Sequence, residues 1–275
     1  MLFPETLVVM RGGGDLATGA ALRLKRAGFP LVILELPRPL VVRRAVALAG
    51  AVLAGTVDVE GLRGQRVRSP QEALTLAREE ATVPVLVDPA GRSLRALKPV
   101  VLVDARMAKR NVDTSPAQAP LVVALGPGFE AGRDCHAVVE TNRGHFLGRV
   151  YWQGHAEPDT GTPGPVAGRG AERVLRAPVD GTVRAHAEIG DRVRAGDVVA
   201  EVAGVPVRAP FAGVVRGLIA DGTPVRAGLK IGDVDPRGRR DHCFTVSDKA
   251  LAVGGGVLEA VLTWLNRRDN RGGNR

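Results

Sequence analysis

Cysteine is nearly absent from this 275-residue chain, which has Cys135 and Cys243 and no others. Two thiols cannot make a disulfide framework, and a cytoplasmic setting is expected. Aromatic residues are 3% of the total, which leaves little for base stacking. Nucleic acid is therefore not the expected partner, although the net charge is +9. Lysine is scarce as well: Lys25, Lys98, Lys109, Lys230 and Lys249 are all there are, and the arginines that carry the rest of the charge are scattered over every segment. Long apolar runs are missing. No uncharged stretch reaches the roughly 18 residues of a membrane span, and no membrane association is expected. Met1 to Glu5 lacks a basic region and a long apolar core, so no secretory signal is expected. What remains is a basic surface suited to anionic ligands or an acidic partner.

The most informative stretch runs from Leu7 to Glu35. An apolar run of strand length leads into Gly12-Gly13-Gly14-Asp15-Leu16-Ala17-Thr18-Gly19, then a helical segment closed by Gly28, then Leu31 to Glu35. Gly12-x-Gly14-x-x-Ala17 matches the dinucleotide-binding turn, in which Gly12 allows the tight turn, Gly14 the close approach of a pyrophosphate, and Ala17 close helix–strand packing. The N–H groups and dipole of the new helix would face an anion. Glu35, 21 residues after Gly14, stands where an acid accepts from a ribose hydroxyl. The alternative reading of Asp15 is a cap for the helix. After Glu35, Pro37 and Pro39 stiffen a loop that carries Arg38, where a 2′-phosphate could be met; this leaves NAD and NADP both open. Arg43 and Arg44 are expected to open a helix through Ala49, and Ser69-Pro70 to start another through Glu80.

Further along, a strand ends in Asp104 and opens a basic segment with Arg106, a place where α/β folds keep polar working groups. Asp134 to His145 concentrates reactive types: Cys135, His136, Glu140, Arg143 and His145. On a strand Cys135 and His136 face opposite sides and do not make a nucleophile–base pair. Together with His242-Cys243 they match no zinc spacing, and no metal site is assigned. Gly154 to Gly170 is the best linker candidate.

An internal repeat follows at an offset of 32 residues: Arg176-Ala177-Pro178 to Arg184 reappears as Arg208-Ala209-Pro210 to Arg216, and Val193 to Gly196 as Val225 to Gly228. The pattern resembles the biotinyl/lipoyl family, a flattened barrel of two half-repeats. In that family the modified lysine lies between the halves; here there is no lysine between Lys109 and Lys230, so neither biotin nor lipoate is expected. The end of the chain reads as a helix from Asp248 to Leu265, in which Gly254-Gly255-Gly256 permits close backbone contact, followed by a polar tail expected to be disordered.

The expected fold class is α/β: a Rossmann-like nucleotide-binding domain at 1–118, a β-rich middle and linker at 119–170, a barrel-sandwich module at 171–236, and a helix with tail at 237–275. Nearly end to end, the chain resembles the YqeB family. The residues that carry the resemblance are Arg11 to Gly19, Glu35 to Pro39, Asp104 to Arg106, Gly126 to Phe129, Asp134 to Glu140 with Arg143-Gly144-His145, Lys230 to Arg237, and Ser247-Asp248-Lys249. The resemblance implies an accessory protein of selenium-dependent molybdenum hydroxylase systems, acting in maturation of the hydroxylase or of its cofactor. It implies as partners the hydroxylase or its cofactor machinery; a homo-oligomer is also compatible. The ligand at Gly12, Gly13, Gly14, Asp15, Ala17, Thr18 and Glu35 would be NAD(P) or the dinucleotide form of the molybdenum cofactor. Arg38, Arg106 and Arg143 would assist binding, and Asp104, Glu140 and His145 are the candidates for any catalysis. Two other readings stand beside it: an NAD(P)-dependent oxidoreductase with His145 as proton donor, and a non-catalytic scaffold that docks the hydroxylase.

Overall fold

The computed structural model describes residues 1–161, 164 and 166–272. The first strands are β1 (Val8–Arg11), β2 (Leu31–Glu35), β3 (Thr56–Val59), β4 (Leu62–Val67), β5 (Thr82–Val87), β6 (Val101–Asp104) and β7 (Leu121–Leu125). They are followed by β8 (Glu130–Ala131), β9 (Ala137–Val139), β10 (Val150–Tyr151) and β11 (Gly154–His155). β8 and β11 pair with each other; the other nine form one sheet in the order β10-β9-β7-β6-β1-β2-β5-β4-β3. Its interior is parallel, and it is closed at both edges by antiparallel strands, β10 on β9 and β3 on β4.

The apolar runs become strands because both faces of the sheet are covered. Val8 and Met10 enter one core with Leu22, Ile33 and Val103, while Val9 enters the other with Val32, Leu102 and Val122. The helices are α1 (Asp15–Arg26), α2 (Ala51–Ala54), α3 (Pro70–Leu76), α4 (Leu94–Leu97), α5 (Asp241–Phe244) and α6 (Asp248–Gly272). Ser69 caps α3 by accepting from the Glu72 N–H at 3.2 Å. α1 and α6 lie together on one face of the sheet, and glycine makes their approach possible. A Cβ on Gly19 would stand 2.2 Å from the Ala250 carbonyl oxygen, and one on Gly254 2.5 Å from the Gly19 oxygen.

The repeat region holds β12 (Val174–Arg176), β13 (Gly181–Ala185), β14 (Arg192–Val193), β15 (Val198–Val202), β16 (Val205–Arg208), β17 (Gly213–Leu218), β18 (Pro224–Val225) and β19 (Lys230–Asp235). They make two four-stranded antiparallel sheets, β12-β19-β17-β14 and β16-β15-β13-β18, around a core of Val183, Val199, Val215, Leu218 and Ile231. The 32-residue offset maps each strand of one sheet onto a strand of the other.

The expected fold class is corrected by this architecture. The N-terminal unit is a mixed nine-stranded sheet and not a regularly wound Rossmann domain: after α1 its crossovers carry helices of only four and seven residues or a single three-residue turn, and one face is closed by α6 from the far end of the chain. The repeat region is a pair of four-stranded antiparallel sheets and not a biotinyl-type barrel. Two local expectations are corrected too. The segment after Arg43 forms two three-residue turns, Arg44–Val46 and Leu48–Gly50, and no continuous helix. The polar tail after Asn266 continues α6 as far as Gly272. Of the expected linker, residues 162, 163 and 165 lie outside the described residues, as do 273–275 of the tail.

The two units meet along the 38–44 loop. Arg38 Nη1 donates to the Gly222 carbonyl at 2.7 Å, Arg44 Nε to that of Leu218 at 2.7 Å, and the Leu218 N–H to the Val42 carbonyl at 2.8 Å. Gly217 is needed here, because a Cβ would lie 2.8 Å from Val42 Cγ1.

Candidate functional site

Between the carboxyl ends of β1, β2 and β6 and the edge of the antiparallel unit lies a cleft of about 850 Å³. It carries the side chains of ten arginines and lysines against six aspartates and glutamates, so its field favours an anion. Gly12, Gly14, Asp15 and Glu35 form its floor, with Arg106 and Arg143 beside them.

Gly12 has φ +93° and sits against the Ala105 carbonyl, which a Cβ would meet at 3.0 Å. Gly14 is the N-cap of α1 with φ −64°; no side chain caps that end, and a Cβ on Gly14 would have room, 3.7 Å from Val41 Cγ1. The cap reading of Asp15 gives way here, because Asp15 is the first helical residue and Gly14 takes the cap position. α6 begins at the same place: Ser247 and Lys249 line the cleft, and the Ser247 hydroxyl accepts the Ala250 N–H at 3.2 Å. Two helix N-termini therefore converge on it. The Lys249 ammonium makes no hydrogen bond or ion pair among the described residues, and burial pulls it below the usual lysine range against the pull of Asp15.

Several residues singled out in the sequence serve the scaffold. Glu35 reaches the turn, but with both oxygens on backbone: Oε1 accepts the Gly13 N–H at 2.8 Å and Oε2 the Leu36 N–H at 2.6 Å. Burial raises its carboxyl, partly offset by those two donors. It orders the glycine turn and does not await a ribose. Ala17 and Thr18 are buried behind the turn, where the Thr18 hydroxyl donates to the Gly14 carbonyl at 2.9 Å and accepts from the Leu48 N–H at 3.0 Å. Gly13 packs against Ala49, away from the cleft. Arg38 is spent on Gly222 in the seam and lines no part of the cleft.

Asp104 is 1% exposed, gripped by Arg106 through Nε at 3.1 Å and Nη2 at 2.6 Å, with the Thr114 hydroxyl at 2.5 Å. Arg106 also meets Asp113 at 2.7 Å, and the buried Arg11 holds Asp113 with both Nη atoms at 2.6 and 3.0 Å. The Arg11 guanidinium, joined by Arg106, keeps the Asp113 carboxyl below its ordinary range. This network fixes the β6 end and leaves Asp104 no free edge for proton transfer. Glu140 is fully buried, with Oε1 on the Asn142 N–H at 2.7 Å and Oε2 on the Glu157 N–H at 2.8 Å. His145 is exposed, edge-on to Phe146, and outside the cleft. Arg143 does line the cleft, with both Nη atoms on Asp248 at 2.7 and 2.8 Å. Of the three catalytic candidates, Asp104 and Glu140 are thus buried with their carboxylates engaged within the protein, and His145 lies outside the cleft.

The two Cys-His dipeptides pack in different places. Cys135 is buried in the sheet core and His136 Nδ1 accepts the Val122 N–H at 2.9 Å, whereas Cys243 lies against the Val215 carbonyl.

Sequence reasoning missed three arginines that the antiparallel unit gives to the cleft, Arg173, Arg176 and Arg216; Lys230 and Asp233 of the same unit line it as well. Arg173 Nη1 meets Asp233 at 2.5 Å and Lys230 Nζ meets the same oxygen at 3.1 Å. The scarcity of lysine marks Lys230 and Lys249, but nothing in the residue pattern marks Arg216.

No protein-family model matches the chain. Among solved structures it is similar to an aspartoacylase family protein from Mesorhizobium loti, 13% identical, covering 83% of this chain and 84% of that one at a TM-score of 0.27. It is similar also to the ectoine utilization protein EutE from Ruegeria pomeroyi, 15% identical over 84% and 60% at a TM-score of 0.23. At these scores the likeness carries no argument. The sequence similarity is much higher: the chain is 49% identical over 261 residues to the uncharacterized protein YqeB of Escherichia coli (strain K12), covering 95% of this chain and 48% of that protein. The chain thus groups with the YqeB family, and it spans about half the length of the curated relative it matches.

Proposed function

We propose that this chain holds a phosphate-bearing nucleotide ligand in the cleft, and that it does so as an accessory protein in the maturation of a molybdenum hydroxylase. The observation that carries the binding reading is the cleft itself: an uncapped α1 N-terminus, the unpaired Lys249, and an excess of basic over acidic side chains in one concavity. About 850 Å³ lies within the ~300–1,000 Å³ typical of cofactor sites. NAD(P) and the dinucleotide form of the molybdenum cofactor both carry the diphosphate that such a terminus attracts. The role in hydroxylase maturation rests on the sequence resemblance, and selenium enters with it.

The residues present support binding more than turnover. An NAD(P)-dependent oxidoreductase needs a proton donor beside the nicotinamide, and His145 stands outside the cleft. A docking scaffold needs an apolar patch on the antiparallel unit. Of the large apolar side chains described there, Val205 alone is exposed.

Calorimetric titration with NAD, NADP, their reduced forms and CTP tests the reading, with Gly14→Asp as the control. The structure suits that variant: the position has ordinary φ and space for a side chain, and a carboxylate there would repel the anion. Binding of one ligand, lost in Gly14→Asp while the melting curve is kept, is the expected result. Binding that survives the substitution overturns the assignment to the turn.

A further inference from the structure

Arg216 lies on β17 in the wall that the antiparallel unit gives to the cleft, with its side chain 11% exposed. A guanidinium offers five donors. Among the described residues the Arg216 guanidinium donates no hydrogen bond; Nε forms an ion pair with Asp235 Oδ2 at 3.7 Å, too long for a hydrogen bond, and is buried without a hydrogen-bond partner. Asp235 is already taken by Arg237, through Nε at 3.0 Å and Nη2 at 2.7 Å. Burial first, and the neighbouring Arg43 second, work against the charge on Arg216. Asp235 and Asp233 favour the charge, but a cation so placed still lacks a hydrogen-bond acceptor among the described residues.

The repeat shows that the fold does not demand this. The position 32 residues earlier is Arg184, which is 73% exposed and reaches Glu201 at the surface. The second copy differs because β17 docks on the 38–44 loop through Leu218 and Gly217, and Arg216, between Val215 and Gly217, lies in that seam and lines the cleft.

We propose that Arg216 forms a second anion subsite, on the antiparallel side of the cleft. The ligand then carries two anionic groups, one at the α1 N-terminus beside Lys249 and one on the Arg216 guanidinium, and it bridges the two units. This rests on the reading of the cleft given above and narrows it to a class: a nucleotide whose phosphate is accompanied by a second phosphate or a carboxylate. The planar fork of arginine suits either group in two-point contact.

The test is calorimetric titration of the full chain with inorganic phosphate, in the wild type, Gly14→Asp, Arg216→Gln and Arg216→Lys, each checked by thermal melting. The expected result is two sites in the wild type and one in each of the first two variants. Arg216→Lys, which keeps the charge and loses the fork, retains the second site at about tenfold lower affinity. If Arg216→Gln does not fold, Arg216→Lys decides: unchanged affinity overturns the proposal. A single wild-type site that disappears in Gly14→Asp and ignores both Arg216 variants overturns the subsite and leaves the glycine-turn reading standing. A single site lost in Arg216→Gln and kept in Gly14→Asp supports the subsite and overturns that reading. Absence of any phosphate binding overturns both.

Discussion

The Glu35 carboxylate accepts the Gly13 N–H at 2.8 Å, from the end of one strand to the turn that leaves its neighbour. In a dinucleotide site an acid at this position would serve the ligand; here it serves the loop that meets the ligand. Glu35→Ala therefore leaves two N–H groups, those of Gly13 and Leu36, without their acceptor. The expected loss is about 1–3 kcal/mol of stability. The sign with pH follows from the raised carboxyl: its stabilising share is complete below the ordinary glutamate pKa and falls as pH rises through the higher folded value. Denaturant melts of wild type and Glu35→Ala between pH 4 and 8 check this, the gap between them being widest at the acid end.

The contact of α1 with α6 makes a contrast between a glycine inside it and one outside it. Gly19→Ala places a methyl against the Ala250 backbone, where nothing can give, and is expected to cost about 3 kcal/mol or more by forcing the helices apart. Gly255→Ala meets nothing within 4 Å and should stabilise α6 by ~0.5–1 kcal/mol. Urea titration of the two variants reads opposite shifts in midpoint.

Lys249 should carry the alkaline limb of anion binding. Its folded pKa lies below the ordinary lysine value because burial disfavours the charge. Affinity for a nucleotide falls as pH rises from 7.5 towards 10, earlier than an exposed lysine would dictate, and Lys249→Met removes that step. At pH 7.5 the variant binds about tenfold more weakly, the equivalent of one charge-assisted hydrogen bond of ~1.5 kcal/mol. Without ligand it is no less stable than wild type, since a charge the fold penalises has been removed. Titrations across that pH range, paired with melts, check both halves.

Neither thiol should react in the native protein. Burial pushes the Cys135 thiol up to about 12 and also raises that of Cys243, with Arg43 and Arg216 opposing in the latter case. A thiolate-specific reagent at pH 8 is expected to label no cysteine in the folded chain and two after denaturation, counted by mass spectrometry.

Much of the local structure was legible in the residues. The glycine turn, the strand runs and the cap at Ser69 rest on short-range rules, and the 32-residue repeat is visible by inspection. What escaped depends on contacts between distant parts of the chain. Nothing near Glu35 reveals that its carboxylate turns back onto Gly13, and nothing near Glu140 reveals that its partners are the N–H groups of Asn142 and Glu157. His145 has a reactive side chain but is exposed and stands outside the cleft. The closest miss was Gly254-Gly255-Gly256: close backbone contact was expected, but not that the partner would be α1, and so the fold class was drawn too simply.

That partnership has a consequence for how the chain acquires its shape. Val253, Val257 and Val261 of α6 are buried in the same core as Val8, Leu31 and Val103, at opposite ends of the sequence. Until α6 arrives, the part of that face that α1 leaves uncovered stays open to water and to other chains. The return of residues 248–272 to the first helix is a closure between remote segments, of the kind that lowers folding rates. A nascent chain of this design carries that uncovered stretch until residues 248–272 have been made, and depends until then on whatever shields it from aggregation.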